Sequence, residues 1–407
     1  MDQSGPRVAV YFAAFHLTPE DSGGGEVAAL PWDSVHIVNH AFWCVEPVDA
    51  PEVSSFQRRA EGAGARKAFR LVPMSPEADL GDWGQSRRIP GLSKNHFAQY
   101  AHFAPRHPQV RILLSIGGWT RSGFFSEMVY TPEGRASFIR SCLELLERYP
   151  WLGGIDIDWE YPAGSRLGER RPDPNDPDDQ GCPIFGTPQE DQRNFALLLA
   201  ELRAAMARVY GEGGKLLTAC ASGSVDWALA YQDWAAAAPS LDLVNIMTYD
   251  LAPAGIAGHA SSAAQAEAAA AYFLNLGVPP ERICIGSPLY GSAFRLKEST
   301  RNPLGTPTEP QRPRIAGGIS QERIAAWQAE AHWHQGYDEA DGGAYLYYDG
   351  DTGPWQRLFV SYENQRSLQR KLDYVRDTGL GGIIVWEASQ DTREHRMIRQ
   401  MYEVFER

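Results

Sequence analysis

The 407-residue sequence has few cysteines and no long hydrophobic run. Its five cysteines are widely spaced, and none forms a CxxC pair or a Cys/His cluster with zinc-ligand spacing. Four of the five lie in apolar segments, which indicates buried thiols. No stretch approaches the roughly 18 consecutive apolar residues that indicate a transmembrane helix. The sequence therefore argues against a disulfide scaffold, a structural zinc module and a membrane-spanning protein.

The sequence also has no excess of basic residues. Acidic residues outnumber basic ones by 51 to 38, which gives a formal net charge of −13 at pH 7. Nucleic acid and acidic membrane surfaces would be repelled, so neither is expected as a partner. The N-terminal run MDQSGPRVAVYF lacks the basic and apolar regions of a signal peptide. We therefore expect either a cytoplasmic protein or the mature form of a secreted one.

Aromatic residues are abundant. There are 12 Trp, 17 Tyr and 16 Phe, in a chain that is otherwise 43% hydrophobic and 22% charged, as is typical of a folded globular protein. Flat aromatic faces suit the binding of sugar rings, but aromatic residues also fill ordinary cores and clefts. Composition alone leaves both interpretations open.

Eight short apolar runs alternate with amphipathic helical segments such as residues 136–149, 192–209, 263–276 and 367–378. Near-continuous apolar strands that alternate with helices predict a parallel sheet, and eight such units are needed to close a (β/α)8 TIM barrel. An open, doubly wound α/β sheet is the alternative, although no glycine-rich nucleotide-binding loop follows the first run. The predicted strands are residues 7–12, 35–42, 110–116, 154–159, 216–221, 241–249, 282–289 and 381–386.

Two insertions interrupt this alternation. Residues 163–190 are rich in Pro, Asp, Arg and Gly without periodicity, which predicts a long loop after the fourth strand. Residues 292–362 contain a helical pattern at 320–331 and strand-like runs at 343–348 and 357–362. We therefore predict a barrel of residues 1–291 and 363–407, with a small α+β insertion domain of residues 292–362 between strands seven and eight.

Three acidic residues alternate along the fourth predicted strand, in the run GIDIDWEYP. Because side chains in a strand alternate between faces, Asp156, Asp158 and Glu160 would all point into the barrel. Burial of neighbouring carboxylates raises at least one pKa, as expected of a general acid that keeps its proton near neutral pH. A magnesium or manganese site and a buried structural network are the alternatives.

The run GIDIDWEYP resembles the DxxDxDxE signature of glycoside hydrolase family 18 chitinases. Further segments resemble motifs of that family in the same order, namely VNHAF at 38–42, LSIGGW at 114–119, MTYD at 247–250, PLYG at 288–291 and GGIIVW at 381–386. The resemblance extends from Tyr11 to Trp386. It implies a retaining hydrolysis of β-1,4-linked N-acetylglucosamine in which the substrate's own acetamido oxygen is the nucleophile, an exception to the two-carboxylate scheme.

The resemblance also implies roles for individual residues. Glu160 would be the general acid and base, and Asp158 would orient the acetamido group and stabilise an oxazolinium ion. Asp156 would share a proton with Asp158, while Tyr249 would donate its hydroxyl to the acetamido carbonyl. The other implied substrate-binding residues are Tyr11, Phe42, Ser115, Gly118, Trp119, Tyr161, Met247, Asp250, Tyr290 and Trp386.

Two departures from the family pattern stand out. Gly153 replaces the first Asp of the signature, so a carboxylate that would support the acidic row from below is missing and the ionisation of Asp156 could change. Ser292 replaces an arginine that often follows the YG of the seventh strand, which removes a substrate contact. Both departures affect substrate binding more than the chemistry.

The resemblance implies chitin or N-acetylglucosamine oligosaccharides as partners and no cofactor or metal, and we expect a monomer. A non-catalytic chitin-binding lectin on the same fold is one alternative, but such relatives usually lose the general acid and Glu160 is present. The other alternative is an endo-β-N-acetylglucosaminidase that acts on N-glycans. The WEYP sequence and the insertion after strand seven favour chitin.

Overall fold

The computed structural model describes residues 5–15, 26–82, 84–313, 315, 318–350 and 352–406. Residues 1–4, the start of the N-terminal run MDQSGPRVAVYF, lie outside the described residues. Within the described residues the strands are β1 (Arg7–Ala13), β2 (Ile37–Pro47), β3 (Phe69–Pro73), β4 (Arg111–Gly117), β5 (Leu152–Asp158), β6 (Leu216–Ser222), β7 (Leu243–Met247), β8 (Ile283–Pro288), β9 (Ser292–Arg295), β10 (Trp333–Asp338), β11 (Gly343–Tyr348), β12 (Leu358–Tyr362) and β13 (Gly382–Trp386). The helices there are α1 (Ser55–Ala60), α2 (Pro76–Leu80), α3 (His96–Phe103), α4 (Phe125–Tyr130), α5 (Pro132–Arg148), α6 (Pro188–Tyr210), α7 (Trp234–Ala237), α8 (Ala263–Asn275), α9 (Gln321–Gln328), α10 (Gln365–Thr378) and α11 (Arg396–Phe405).

Eight parallel strands form a closed barrel at the centre of the molecule. Their order is β1, β2, β4, β5, β6, β7, β8 and β13, and the pairing of β13 with β1 closes the ring. Each of the eight predicted strands overlaps one of these, so the prediction of a (β/α)8 barrel is confirmed and the open sheet is wrong. None of the helices in the described ranges is both long and apolar enough to cross a bilayer.

The alternation of side chains along each strand separates two apolar layers. Ile155, Ile157 and Trp159 belong to the large core between the strands and the surrounding helices. Tyr11 and Leu113 belong to a smaller cluster inside the barrel. The five cysteines are all buried and unpaired, which confirms the prediction for the four that lie in apolar segments; Cys182, in the long loop after β5, is buried as well.

The long helix α6 shows how the sequence sets the outer layer. Thr187 and Glu190 form a reciprocal capping box at its start, and Pro188 occupies the first turn, where its missing N–H is not needed. Leu198, Leu199 and Leu202 then bury one face of the helix in the outer core. Phe195 of the same helix meets Trp159, the residue after β5, edge to face with ring centroids 5.7 Å apart, so the helix contacts the end of the strand that carries the acidic row.

The segment between β2 and β4 holds elements that the sequence analysis did not predict. β3 pairs antiparallel with the C-terminal part of β2, α1 precedes β3 in the same crossover, and α2 and α3 follow it. These helices are only six, five and eight residues long. Such short helices are not stable alone and show too few turns for a clear periodicity, so tertiary packing decides them.

A second sheet lies between β8 and β13 in the chain. Its antiparallel order is β10, β11, β12 and β9, and Ile324 and Trp327 of α9 share its apolar core. The predicted helix and the two predicted strand runs correspond to α9, β11 and β12. β9 and β10 were missed because β9 has four residues and β10 reads WHQGYD, which has no apolar alternation.

A buried ion pair joins the second sheet to the barrel. The Lys371 ammonium on α10 donates to the carboxylate of Glu363, directly after β12, and both side chains are fully buried. Lys371 also donates to the hydroxyl of Ser261 at 2.7 Å, and Ser287 on β8 donates to Glu363 at 3.1 Å. The carboxylate therefore depends on Lys371 for its compensating charge.

We expect Lys371→Met to lower the free energy of unfolding by about 3–5 kcal/mol, because it leaves the Glu363 charge buried and unpaired. The double variant Lys371→Met/Glu363→Gln removes both charges and should be more stable than Lys371→Met alone. Urea denaturation of the three proteins measures this. A double variant that is no more stable than the single one would contradict a charge-based explanation.

Candidate active site

Asp156 lies inside the barrel at the centre of a hydrogen-bond network. Its carboxylate accepts from the Tyr11 hydroxyl at 3.0 Å and from the Ser115 hydroxyl at 2.7 Å. Thr218 on β6 and the Asn245 amide on β7, the latter at 3.1 Å, donate to its other oxygen. Four strands besides β5 thus hold this carboxylate in one orientation. Its oxygens already accept these hydrogen bonds, which leaves them poorly available to the magnesium or manganese ion considered from the sequence.

Asp158 and Glu160 continue the same face toward the carboxyl end of the barrel. Asp158 is the last residue of β5, and Glu160 follows two residues later with its backbone N–H bonded to the Ser122 hydroxyl at 3.0 Å. Both side chains are buried, and Asp158 Oδ1 has no hydrogen-bond partner among the described residues. The expected inward row of three carboxylates is therefore present, with an acceptor atom of Asp158 unused.

The electrostatics of the row keep protons on it at neutral pH. Burial raises the pKa of Glu160 to about 7, against the opposing effects of a hydrogen bond from Tyr161 and of the Arg170 charge. Burial and the neighbouring charges of Glu160 and Asp156 raise the pKa of Asp158 well above its usual range. Burial also raises the pKa of Asp156, although its hydroxyl donors partly offset this. Glu160 can therefore act as a proton donor near neutral pH.

An aromatic floor adjoins the row. Trp386, the last residue of β13, is stacked on Phe42, with ring centroids 5.6 Å apart and an angle of 18° between the ring planes. The centroid of the Tyr11 ring lies 5.7 Å from that of Trp386. A Cβ at Gly118 would lie 2.6 Å from the Phe42 ring, so only glycine fits beside it. Trp386 remains partly exposed at the mouth of the barrel.

The strands β7 and β8 contribute a polar and aromatic side to the site. Met247 and Tyr249 pack in the inner cluster, and Tyr249 meets Tyr290 edge to face at 6.4 Å. The Tyr290 hydroxyl donates to the carboxylate of Asp250 at 2.7 Å. Asp250 and Glu160 are close enough for their charges to interact, since Asp250 contributes to the raised pKa of Glu160.

A cleft of about 240 Å³ opens on the other side of Glu160, and Trp119, Tyr161 and Trp227 line it. The Trp119 and Trp227 rings meet the Tyr161 ring edge to face at 6.5 and 5.9 Å. Arg170, from the long loop after β5, lies over the Trp119 ring with its guanidinium carbon 4.1 Å from the centroid. Asp179 of the same loop holds that guanidinium at 2.7 Å. One face of Trp119 is therefore covered by the protein itself.

The structure thus brings the expected site residues together at the carboxyl ends of the barrel strands, and it adds residues that the sequence analysis missed. Thr218, Cys220 and Asn245 surround Asp156, and the Cys220 sulfur lies 2.9 Å from the Tyr11 hydroxyl. Each is a polar or thiol residue at an inward position of an apolar strand, and that pattern could have identified them. Arg170 lies in a loop without periodicity and carries no comparable signal.

Gly153, the first departure from the family pattern, lies where the pairing of β5 with β4 is irregular. The pairing register shifts between Ile112 and Leu113 of β4, which pair with Leu152 and Gly154, so Gly153 is an extra residue on β5 and the regular alternation of side chains does not extend from Asp156 to it. A Cβ at Gly153 would approach Arg111 of the neighbouring strand at 3.2 Å. Asp156 is supported by its four hydrogen-bond donors. The orientation of Asp156 is therefore fixed without a carboxylate at position 153, and the effect of Gly153 on the ionisation of Asp156 stays a prediction.

We expect Glu160→Gln to stabilise the protein at alkaline pH. The folded-state pKa of Glu160, about 7, is above the ordinary value of 4.5, so the wild type loses stability as the pH rises between these values. The variant should match the wild type near pH 4.5 and exceed it near pH 8.5 by on the order of 1–3 kcal/mol. Urea denaturation at both values measures the difference. Glu212→Gln, at an exposed loop position, is the control, and a gain for Glu160→Gln that is equal at both pH values would contradict the prediction.

Comparisons with known proteins agree with this arrangement. The chain is 29% identical over 307 residues to "Chitotriosidase-1" of Mus musculus, a match that covers 70% of this chain and 60% of that protein. It is 30% identical over 320 residues to "Chitinase A1" of Niallia circulans, which covers 70% of this chain and 41% of that protein. The chain therefore spans about half the length of these curated relatives.

The fold also matches a solved structure, a Group IV chitinase of Ostrinia furnacalis in complex with allosamidin. The TM-score is 0.73 at 24% identity, with 98% of each chain covered, so the likeness shows a shared fold. The model of the family described as "Glycosyl hydrolases family 18" matches residues 7–391. A match over nearly the whole chain shows that this protein belongs to glycoside hydrolase family 18.

Proposed function

We propose that this protein is a chitinase that hydrolyses β-1,4-linked N-acetylglucosamine in chitin or its oligosaccharides, with retention and with the substrate's acetamido oxygen as nucleophile. The observation that carries the proposal is the buried pair of Asp158 and Glu160 at the end of β5, in which Glu160 keeps a proton near pH 7. The names of the relatives, a chitotriosidase and a chitinase, support the same substrate class.

In the first step, Glu160 gives its proton to the glycosidic oxygen while the acetamido carbonyl oxygen attacks the anomeric carbon. The bond to the leaving sugar breaks, and a positively charged oxazolinium ring forms. Asp158 accepts a hydrogen bond from the acetamido N–H and stabilises this charge in a site with little water. The Oδ1 atom of Asp158, which has no partner among the described residues, is an acceptor suited to that N–H.

In the second step, the ionised Glu160 takes a proton from water, and the resulting hydroxide attacks the anomeric carbon from the side that the leaving sugar vacated. The oxazolinium opens, and the acetamido group is restored with net retention. Asp158 must be anionic while it stabilises the oxazolinium ion. The proton that it then releases passes to Asp156, so the two carboxylates titrate as a coupled pair. The donors around Asp156 fix its position during this exchange.

The aromatic and polar residues around the row bind the sugars in this proposal. Trp386 stacks beneath the sugar whose bond is cleaved, and Tyr249 donates its hydroxyl to the acetamido carbonyl. Burial raises the pKa of Tyr249 well above its usual range, so it stays protonated and can donate. Asp250 and Tyr290 contact the sugar from the side of β8, and Trp119 and Tyr161 face the leaving sugars.

Residues 292–362 form a separate small domain in this proposal, and they wall one side of the substrate cleft. Their sheet has its own apolar core around Trp327, Trp333 and Leu346, distinct from the two barrel clusters. β9 begins four residues after the end of β8 and two after Tyr290. The domain thus starts next to the side chain that holds Asp250.

We expect Glu160→Gln to lower kcat on chitin hexasaccharide by about 10²–10⁴-fold, since the amide cannot donate a proton to the leaving oxygen. Chromatography of the products measures turnover, and calorimetry on the same variant checks that the oligosaccharide still binds. Glu212→Gln is again the control. Equal turnover in Glu160→Gln and wild type would overturn the assignment of the general acid.

The same experiment separates the alternatives. Tight binding of the hexasaccharide with no cleavage by the wild type would indicate a chitin-binding lectin. Release of whole glycans from a high-mannose glycoprotein, without cleavage of the hexasaccharide, would indicate an endo-β-N-acetylglucosaminidase. The raised pKa of Glu160 favours the chitinase over the lectin, because a lectin has no need of a poised acid.

We expect kcat/KM to fall as the pH rises through about 7, because Glu160 must be protonated to act. The Arg170 charge lowers the pKa of Glu160, so Arg170→Gln should move this alkaline limb to higher pH. Arg170→Lys keeps the charge and should restore the wild-type limb even if KM changes. A limb that stays in place in Arg170→Gln, or moves to lower pH, would contradict the electrostatic role.

A further inference from the structure

A second buried cluster of ionisable residues lies on the outer side of β2, away from the acidic row. His40 alternates with Ala41, which belongs to the inner cluster, so its ring points toward the surrounding helices. Asp79 of α2 and His96, the first residue of α3, meet it there. All three side chains are essentially fully buried. Such polar groups are rarely buried together unless they are mutually bonded or hold an ion.

The donor atoms of the cluster converge on one point. Asp79 Oδ1 lies 3.1 Å from His40 Nε2 and 2.8 Å from His96 Nδ1, and the potential ligand atoms all lie within 4.8 Å of one another. A tetrahedral ion with bonds of about 2.0–2.1 Å needs neighbouring ligands roughly 3.3 Å apart. An expansion of a few tenths of an ångström would therefore admit the ion.

The remaining atoms of two ligands are held by the surrounding residues. The Trp43 indole N–H donates to Asp79 Oδ2 at 3.0 Å, which leaves Oδ1 to face the two imidazoles. The Tyr100 hydroxyl lies 3.3 Å from His40 Nδ1. In metal sites the nitrogen of a ligating histidine that does not touch the metal is usually hydrogen-bonded in this way, which fixes the ring.

The charge state of the cluster also suits a cation. Burial raises the pKa of Asp79, but His40 and His96 outweigh it and lower that pKa to about 2, so the carboxylate is an anion at all ordinary pH values. A buried charge of this kind is costly unless it is compensated.

We propose that His40, Asp79 and His96 form a structural binding site for a divalent transition metal, Zn²⁺ in the first place. Two imidazole nitrogens and one carboxylate oxygen are ligands that Zn²⁺ accepts, and hard cations such as Mg²⁺ prefer oxygen alone. When the ion binds, each imidazole proton that faces Asp79 moves to the other ring nitrogen. For His40 that N–H is then donated to the Tyr100 hydroxyl.

The ion would act on stability and not on the reaction. The ligands come from β2, α2 and α3, so one ion would tie two short helices of the crossover to the barrel wall. A fully buried set of ligands gives a sugar no access to the metal. The proposal is therefore independent of the proposed chitinase activity, and its test needs no substrate.

The test uses the full chain after treatment with a chelator and dialysis. On addition of Zn²⁺ we expect one bound equivalent by elemental analysis and a rise in Tm that grows with the free Zn²⁺ concentration. Substitution with Co²⁺ should give visible d–d absorption that is absent without the protein. Wild-type protein that retains no stoichiometric metal and shows no rise in Tm would overturn the proposal and leave the cluster as a hydrogen-bond network.

Variants locate the site. His96→Gln should abolish both the bound equivalent and the rise in Tm. The control is His334→Gln, since His332, His334 and Asp349 form another His/Asp group that is largely exposed. We expect this variant to keep the metal, and its loss there would place the metal at the surface and overturn the assignment. If His96→Gln does not fold, metal content and Tm of the wild type and of His334→Gln still test whether the buried cluster binds the metal.

Discussion

The site depends on the burial of one carboxylate, Asp156, inside a closed barrel. An acidic side chain in that position is tolerated only because β1, β4, β6 and β7 each supply a donor to it. This network fixes the side chain at the base of the row and leaves Asp158 and Glu160 above it with fewer partners. Asp156 accepts several hydrogen bonds, which favour its ionised form, whereas Asp158 and Glu160 accept fewer. This difference contributes to the different proton affinities of the three carboxylates.

Closure of the barrel is what makes this network possible. The donors to Asp156 come from strands that are distant in sequence, between Tyr11 and Asn245. Because β1 pairs with both β13 and β2, the ring closes, and the Asn245 amide of β7 reaches the Tyr11 hydroxyl of β1 at 3.3 Å. The same closure places Trp386 of β13 against Phe42 of β2, which completes the aromatic floor. The acidic row and the aromatic floor therefore both depend on the closure of the barrel.

Much of this could be predicted from the sequence, for identifiable reasons. Buried parallel strands give apolar runs of six to nine residues, and the alternation of Asp156, Asp158 and Glu160 shows which face is inward. β10 and the short helix α2 gave no such pattern, because the first is a polar strand and the second has five residues. Arg170 reaches the cleft only through the path of a long loop and its ion pair with Asp179, which no local pattern encodes. The irregular pairing of β5 with β4 at Gly153 is likewise not visible in the sequence, because a pattern of alternating residues does not reveal an extra residue in a strand.

β2 shows how the two faces of a barrel strand can be used separately. Its inner face presents Ala41 and Phe42 to the cavity, and the Phe42 ring lies against both Trp386 and Gly118. Its outer face presents His40 to Asp79, which also accepts a hydrogen bond from Trp43 farther along the same strand. Asp79 of α2 therefore contacts β2 at His40 and at Trp43, on either side of Phe42 in the sequence. A strand held in this way has little freedom to shift, and the position of Phe42 beneath the cleft follows from contacts made on the opposite face of the sheet.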